Sequence, residues 1–337
     1  MNEDLQNQLA KKIQKEFPVV AKPFELIANE LNISEDEVLT QLKLWKENKK
    51  FREISAVMEG SFLDHDSALV CGKVPKERLD EVAAIICKHP TVTHCYERNH
   101  DYNIWFTIAV PNEIGVNEHV KLIEKMTGIE KFHPLRRIET FKIGVIFDLK
   151  TKANDTQKIT IKATNEKLNA NDKEKEIIRT IQKTLPLVSE PFKEMASQTN
   201  VSAQEIIDFI INNRGKAVRK YVATFNHRKL GVSFNAMTVW QVDKKDATEV
   251  GQKLTNYPEV SHCYSRNTTT GFPYNVYSMI HGPDEQTVKG VVSKMQNELK
   301  QNSYLILHST AEYKKCRLRY YLPELDIWYE NSLKEAK

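Results

Sequence analysis

The chain has 337 residues, 40% of them hydrophobic, with five cysteines and a formal charge of +4, so the length sets an expectation of two or three domains with ordinary globular cores. Mild basicity suits an anionic ligand as well as nucleic acid, and an odd number of cysteines with no C-x-x-C pair argues against a disulfide framework or a cysteine zinc site. No apolar run approaches membrane-spanning length and the N-terminus lacks a signal peptide's apolar core, so the expectation is a cytoplasmic protein without a membrane.

In chain order, Leu5, Leu9, Ile13 and Phe17 recur at helical spacing. Pro23 opens a second helix with Phe24, Ile27, Ala28 and Leu31 on one face, and Ser34 with Glu37 forms a capping box for a third, striped by Val38, Leu42 and Trp45. Residues 51–58 then alternate as a strand. Three short helices and a strand predict a winged helix-turn-helix. Strands follow at 67–74, 92–98, 102–110 and 132–147, with helices opened by Pro75 and covering 113–127. That β-α-β-β-α-β order predicts a ferredoxin-like unit. Residues 151–173 read as a polar linker, with Ile159-Thr160-Ile161 its most ordered part.

The order then repeats. His94-Cys95-Tyr96-Glu97-Arg98-Asn99 returns as His262-Cys263-Tyr264-Ser265-Arg266-Asn267. With the same offset and no gap, Ile13 falls on Ile181, Pro18 on Pro186, Pro23-Phe24 on Pro191-Phe192, Ser34 on Ser202 and Pro90 on Pro258. The period is too long for a solenoid unit, so the chain is a tandem duplication. A second winged helix covers 174–226, with Ser202 and Glu205 as its capping box. Strands are expected at 233–242, 260–266, 274–280 and 303–320, helices at 243–257 and 283–299, and a loose tail from about 331. A four-residue insertion within Thr268–Pro273 precedes Tyr274-Asn275, which then aligns with Tyr102-Asn103. The fold class is α+β, with domains at 1–60, 61–150, 174–228 and 229–330.

Winged helix followed by ferredoxin-like domain resembles the Lrp/AsnC architecture. The tract from Thr93 through His94, Arg98, His100 and Tyr102 to Thr107 is similar to the core of the sirohaem decarboxylases, as are Phe225–Gly231 and Phe141–Leu149. The resemblance covers nearly the whole chain apart from the linker. It implies a carboxy-lyase that removes the C12 and C18 acetate carboxyl groups of sirohaem to give didecarboxysirohaem, in haem d1 or alternative haem biosynthesis. It implies no dedicated cofactor, since the sirohaem iron enters with the substrate and the macrocycle serves as electron sink. Such enzymes act as pairs of related subunits, sometimes fused, and the duplication suggests a fused pair forming an internal pseudo-dimer. Other haem-pathway enzymes and a second copy of the chain are further partners in this reading.

Sirohaem is a flat apolar ring rimmed by eight carboxylates, so its site calls for aromatic walls, cations and a proton donor. Arg suits carboxylates because its planar fork donates two parallel hydrogen bonds, and His is a reasonable general acid near neutrality. His227-Arg228-Lys229 sets a proton donor beside two cations, where copy one has Glu59-Gly60-Ser61. His94 and Arg98 fall on one strand face, and His262 and Arg266 repeat the pair. His100 is a second proton donor or an axial ligand. Tyr102, Trp105, Tyr274 and Tyr277 are candidate walls, and Arg136 a candidate anchor. Without the resemblance, 227–229 is an ordinary basic loop and the aromatics are core packing.

Two rivals remain at this point. A DNA-binding regulator conflicts with the acidic start of the third helix, Ser34-Glu35-Asp36-Glu37, which would set carboxylates against phosphates. A non-catalytic tetrapyrrole sensor would share the pocket and need no proton donor.

Overall fold

The structure, a computed structural model, describes residues 1–142, 146–147, 154–155, 166–225, 234–301 and 303–335. Copy one runs α1 (Glu3–Lys15), α2 (Pro23–Leu31), α3 (Glu35–Glu47), β1 (Phe51–Met58), β2 (His65–Gly72), α4 (Leu79–Lys88), β3 (His94–Arg98), β4 (Ile104–Pro111), α5 (Gly115–Thr127) and β5 (Phe132–Lys142). Two short strands, β6 (Ile146–Phe147) and β7 (Asn154–Asp155), pair with each other. Copy two runs α6 (Asp172–Ile181), α7 (Pro191–Ala196), α8 (Ala203–Asn212), β8 (Val218–Phe225), β9 (Phe234–Trp240), α9 (Ala247–Leu254), β10 (Val260–Arg266), β11 (Val276–Gly282), α10 (Glu285–Leu299) and β12 (Tyr304–Lys315), and ends in α11 (Pro323–Glu335). The described residues form two compact units, and each gathers the same part of both copies.

The first unit holds both helix-turn-helix segments. The capping boxes form as the sequence predicts: Glu37 N–H donates to Ser34 Oγ while Ser34 N–H donates back to Glu37, and Ser202 with Glu205 does the same for α8. The wings do not stand apart. β1 pairs antiparallel with β8, one strand from each copy. Tyr221 of β8 packs between Phe17 and Phe192, and Phe225 lies against Trp45 and Phe51. Residues 51–58 are therefore buried at nearly every position, and the alternation expected there is absent because side chains are covered on both faces.

The second unit is an eight-stranded closed barrel in the order β10-β11-β9-β12-β3-β4-β2-β5. Each copy contributes its four strands in the same relative order. Closure comes from two long strands that change partner midway. β5 starts on β2 and ends on β10, while β12 starts on β9 and ends on β3. Side chains alternate along each strand. Outward residues such as Val70, Cys95 and Phe106 pack under α4 and α5, and Trp240, Cys263 and Ile280 under α9 and α10. Inward residues, among them Cys71, Trp105, Leu135, Val239, Tyr277 and Leu307, fill the barrel.

The exchange is fastened reciprocally. Lys314 on β12 donates to the carbonyls of Cys87 (2.7 Å) and His89 (3.1 Å) at the end of α4. Lys142 on β5 donates to Thr255 and Tyr257 (3.0 Å each) just beyond α9. A cation at a helix C-terminus answers both the orphaned carbonyls and the dipole. Two expectations are corrected. The strand expected over 303–320 stops at Lys315, and the tail expected to be loose from about 331 belongs to α11, whose Leu325 is buried in the core of copy one.

Candidate active site

On β3, His94, Tyr96 and Arg98 share one face and Cys95 points to the helices, as the strand period requires. β10 repeats this with His262, Tyr264 and Arg266. Arg98 is 6% exposed. Its guanidinium lies 5.5 Å from the Tyr96 ring centre and donates from Nη1 to the Leu307 carbonyl at 2.6 Å. Arg266 lies 5.4 Å from Tyr264 and 5.5 Å from Tyr277, and donates to the Leu135 carbonyl at 2.8 Å. The Nε of each is buried and unpartnered. Burial draws the Arg98 pKa down to about 10, and that of Arg266 down as well. Among the described residues neither guanidinium forms a salt bridge with a carboxylate. A buried cation without an anion is costly, and a ligand carboxylate would relieve that cost.

The imidazoles beside them are fixed differently. Thr93 Oγ1 lies 3.0 Å from His94 Nδ1, and the Tyr264 hydroxyl 3.3 Å from His262 Nδ1. Next to Arg98, the β3–β4 loop places His100 in a stack over Tyr102 (centroids 6.1 Å, planes 12° apart). Tyr102 N–H donates to His100 Nδ1 at 3.1 Å, so the neutral ring carries its proton on Nε2. Trp105 is 1% exposed and donates from Nε1 to the Tyr102 carbonyl at 2.6 Å. Tyr102 and Trp105 thus pack together in the barrel interior next to His100.

Two residues that sequence reasoning missed stand at the same ring. His133 of β5 meets Tyr102 edge-on at 5.4 Å, and the Lys73 ammonium lies 4.9 Å from its centre. Burial lowers the pKa of His100, and so does Lys73, against Asp101. Burial lowers His133 too, aided by Lys131 and Lys73. A position-by-position comparison of the copies was the signal for both residues: copy two has Gln241 and Leu305 there. The insertion adds Phe272, fully buried against Tyr102, Trp105 and Tyr274. Gly271 makes this approach with φ +90°, and a Cβ there would fall 2.7 Å from the Tyr102 hydroxyl.

Arg136 sits apart from this group. It is clamped by Asp66 (Nη2 to Oδ2 2.7 Å) and Asn117 (3.0 Å), so its fork is already engaged. Burial opposes ionisation of Asp66, but the hydrogen bond and charge of Arg136, together with the Val116 and Ser67 N–H groups, outweigh it and hold that carboxyl below its usual range. His227, Arg228 and Lys229 lie outside the described residues. In copy two a cleft of about 490 Å³ opens among Gln241, Thr268, Asn275 and Ser303.

A chain with two helix-turn-helix segments and two four-stranded halves that close one barrel, in which two buried guanidiniums meet no described carboxylate, belongs to a class built by duplication of a helix-turn-helix and ligand-binding-domain pair. The AsnC-like ligand-binding domain family matches residues 65–142 and 229–314, and the siroheme decarboxylase NirDL-like helix-turn-helix family matches 6–52 and 174–214. The siroheme decarboxylase of Hydrogenobacter thermophilus is 35% identical over 96% of this chain and 97% of its own length. The crystal structure of the siroheme decarboxylase NirDL in co-complex with an iron-uroporphyrin III analogue is 30% identical, with TM-score 0.79, and covers 99% of this chain and 100% of that one. The siroheme decarboxylase beta subunit of Methanosarcina barkeri is 31% identical over 42% of this chain and 95% of its own length, so a separate subunit there corresponds to roughly one copy here. The chain belongs to the siroheme decarboxylase family.

Proposed function

We propose that the chain removes the C12 and C18 acetate carboxyl groups of sirohaem and releases 12,18-didecarboxysirohaem, of use to haem d1 or alternative haem biosynthesis. In each step the bond between the acetate methylene and its carboxyl carbon breaks and carbon dioxide leaves. The electron pair passes into the macrocycle, and a proton taken up at the methylene carbon completes a methyl group. The sirohaem iron is part of the substrate.

The observation that carries this reading is the pair of buried guanidiniums, Arg98 and Arg266, each with an unpartnered Nε and an aromatic neighbour. They are suited to rim carboxylates, with His94 and His262 on the same strand faces. Tyr102 and Trp105 add aromatic surface beside them, and His100 holds its neutral proton on Nε2. His227 and His100 are the proton donors read from the sequence, with Arg228 and Lys229 as further anchors. The regulator reading loses its support at α3, whose first turn is Glu35, Asp36 and Glu37.

The test is anaerobic incubation of the purified protein with sirohaem, followed by mass analysis of the tetrapyrrole. Loss of two carbon dioxide units is expected. Sirohaem recovered unchanged from folded protein that binds it would replace the enzyme with a sensor.

A further inference from the structure

The two copies share one backbone frame around the loops that follow β3 and β10. In copy one, Asn103 brackets Val74, accepting from its N–H at 2.9 Å and donating to its carbonyl at 2.7 Å. In copy two, Asn275 brackets Val242 at 2.9 and 2.8 Å. Arg98 N–H donates to the Asn103 carbonyl and Arg266 N–H to the Asn275 carbonyl, both at 2.8 Å. With the frame equal, the side chains on it can be compared directly. Lys73 faces Gln241 in this comparison, His133 faces Leu305, Lys131 faces Ser303, and His100 gives way to the insertion that starts at Thr268. Every titratable or cationic group of this set lies in copy one. The copy-two counterparts Gln241, Thr268 and Ser303 are neutral and line a cleft whose charged groups, Asp243 and Lys244, lie just beyond Gln241 in the chain, while Leu305 packs on the apolar barrel interior.

We propose that decarboxylation takes place at the copy-one position alone, with Lys73 as the anchor of the reacting carboxylate and His133 as the acid that returns the proton. The inference rests on the sirohaem decarboxylase reading and adds to it the half that works and two residues that do the work.

The assignment of the acid follows from hydrogen bonding. His100 accepts the Tyr102 N–H on Nδ1, so it cannot take a second proton without losing that bond. It is a fixed neutral donor, suited to orient a carboxylate and poor at giving up a proton. On His133 no hydrogen bond fixes either ring nitrogen among the described residues, and the ring is half-buried against Tyr102. Lys73 and Lys131 disfavour its charged form in the free protein. A substrate that brings several carboxylates beside those lysines reverses that balance and favours the imidazolium. The acid is thus charged when substrate is present. The proton then passes from His133 to the methylene carbon left by carbon dioxide, and solvent reprotonates the ring.

The other copy supplies the substitutions for the test, because its own frame already folds with them. In Lys73→Gln the KM for sirohaem rises by about ten-fold or more while kcat changes little, as expected when a charged anchor becomes a neutral one. In His133→Leu, kcat falls by about a hundred-fold and the pH-rate profile loses the ionisation that His133 supplies. Gln241→Ala and Ser303→Ala, in the copy-two cleft, retain wild-type turnover. Thermal melts and sirohaem absorbance titrations confirm that each variant folds and binds. If Lys73→Gln and His133→Leu both turn over within two-fold of wild type, or if the copy-two changes abolish turnover, the assignment to copy one is overturned while the enzyme reading stands. A wild-type protein that releases no carbon dioxide from sirohaem overturns the enzyme reading itself.

Discussion

At Arg98 a guanidinium with 6% of its surface exposed is held by a main-chain carbonyl where a carboxylate would be expected. Natural cores rarely keep such a group for stability, since breaking even with its desolvation needs a full set of partners. Arg98→Met is therefore expected to leave the melting temperature unchanged or raise it, and to weaken sirohaem binding by about ten-fold or more, a trade of stability against function. Calorimetry and absorbance titration on the same preparation check this. A variant that unfolds yet binds normally once refolded would make Arg98 a structural staple. The same strand shows how far residue chemistry was legible: the spacing of His94 and Arg98 placed them on one face, but only the fold reveals that no described acid reaches the guanidinium.

α11 shows the same division at the scale of an element. Its sequence has no strong apolar stripe, because it buries little beyond Leu325 and one side of Trp328, so periodicity gave no reason to expect it. Its docking is set by a histidine pair on copy one. Thr91 N–H donates to His89 Nδ1, which leaves His89 Nε2–H to donate to His119 Nδ1 at 3.1 Å. His119 Nε2 and Trp328 Nε1 are buried without partners. Trp328 packs on both rings, at 4.1 Å from His89 and 5.6 Å from His119, with Tyr329 beside His119 and Lys314 on the His89 carbonyl. Burial pushes the His119 pKa down to about 4 and that of His89 well below its usual value. Both are neutral in either state above pH 6.5. As pH falls through 6.5, the unfolded chain binds protons that the folded chain refuses, so stability is lost. For His119 the loss is about 1.4 kcal/mol per pH unit, or about 3 kcal/mol by pH 4. Urea melts at pH 7.5, 6 and 5 are expected to show this slope, and His119→Phe to flatten it. A slope unchanged in that variant would remove the pair from the acid response.

Over the whole molecule, the barrel is closed by exchange. Each copy lends the end of its last strand to the other, and each lent end carries a lysine into the far helix terminus. Lys314→Met leaves the Cys87 and His89 carbonyls without that donor, and Lys142→Met does the same to Thr255 and Tyr257. Each change is expected to cost about 2 kcal/mol, the order for hydrogen bonds from a charged group. The two sites share no partner, so the double variant should cost about the sum. Guanidinium melts of the single and double variants check both statements, and a change under about 0.5 kcal/mol in either single variant would remove the lysines from closure. The paired winged helices obey the same logic, since β1 and β8 complete each other.

The sequence by itself determined the duplication, because a shared ancestor leaves residues in register over a long span. It determined most helices and strands, because burial imposes periods of 3.6 and 2 on the chain, and it reached the family through the tract around His94 to Thr107. Only the tertiary structure decided that β5 and β12 cross to the other copy, because the backbone hydrogen bonds that pair strands carry no side-chain signature. It alone brought Lys73 and His133 to the ring of Tyr102 and engaged Arg136 with Asp66. It also set Phe272, a residue of an inserted loop, in the barrel. These are contacts between residues far apart in sequence, and their chemistry depends on distance in space.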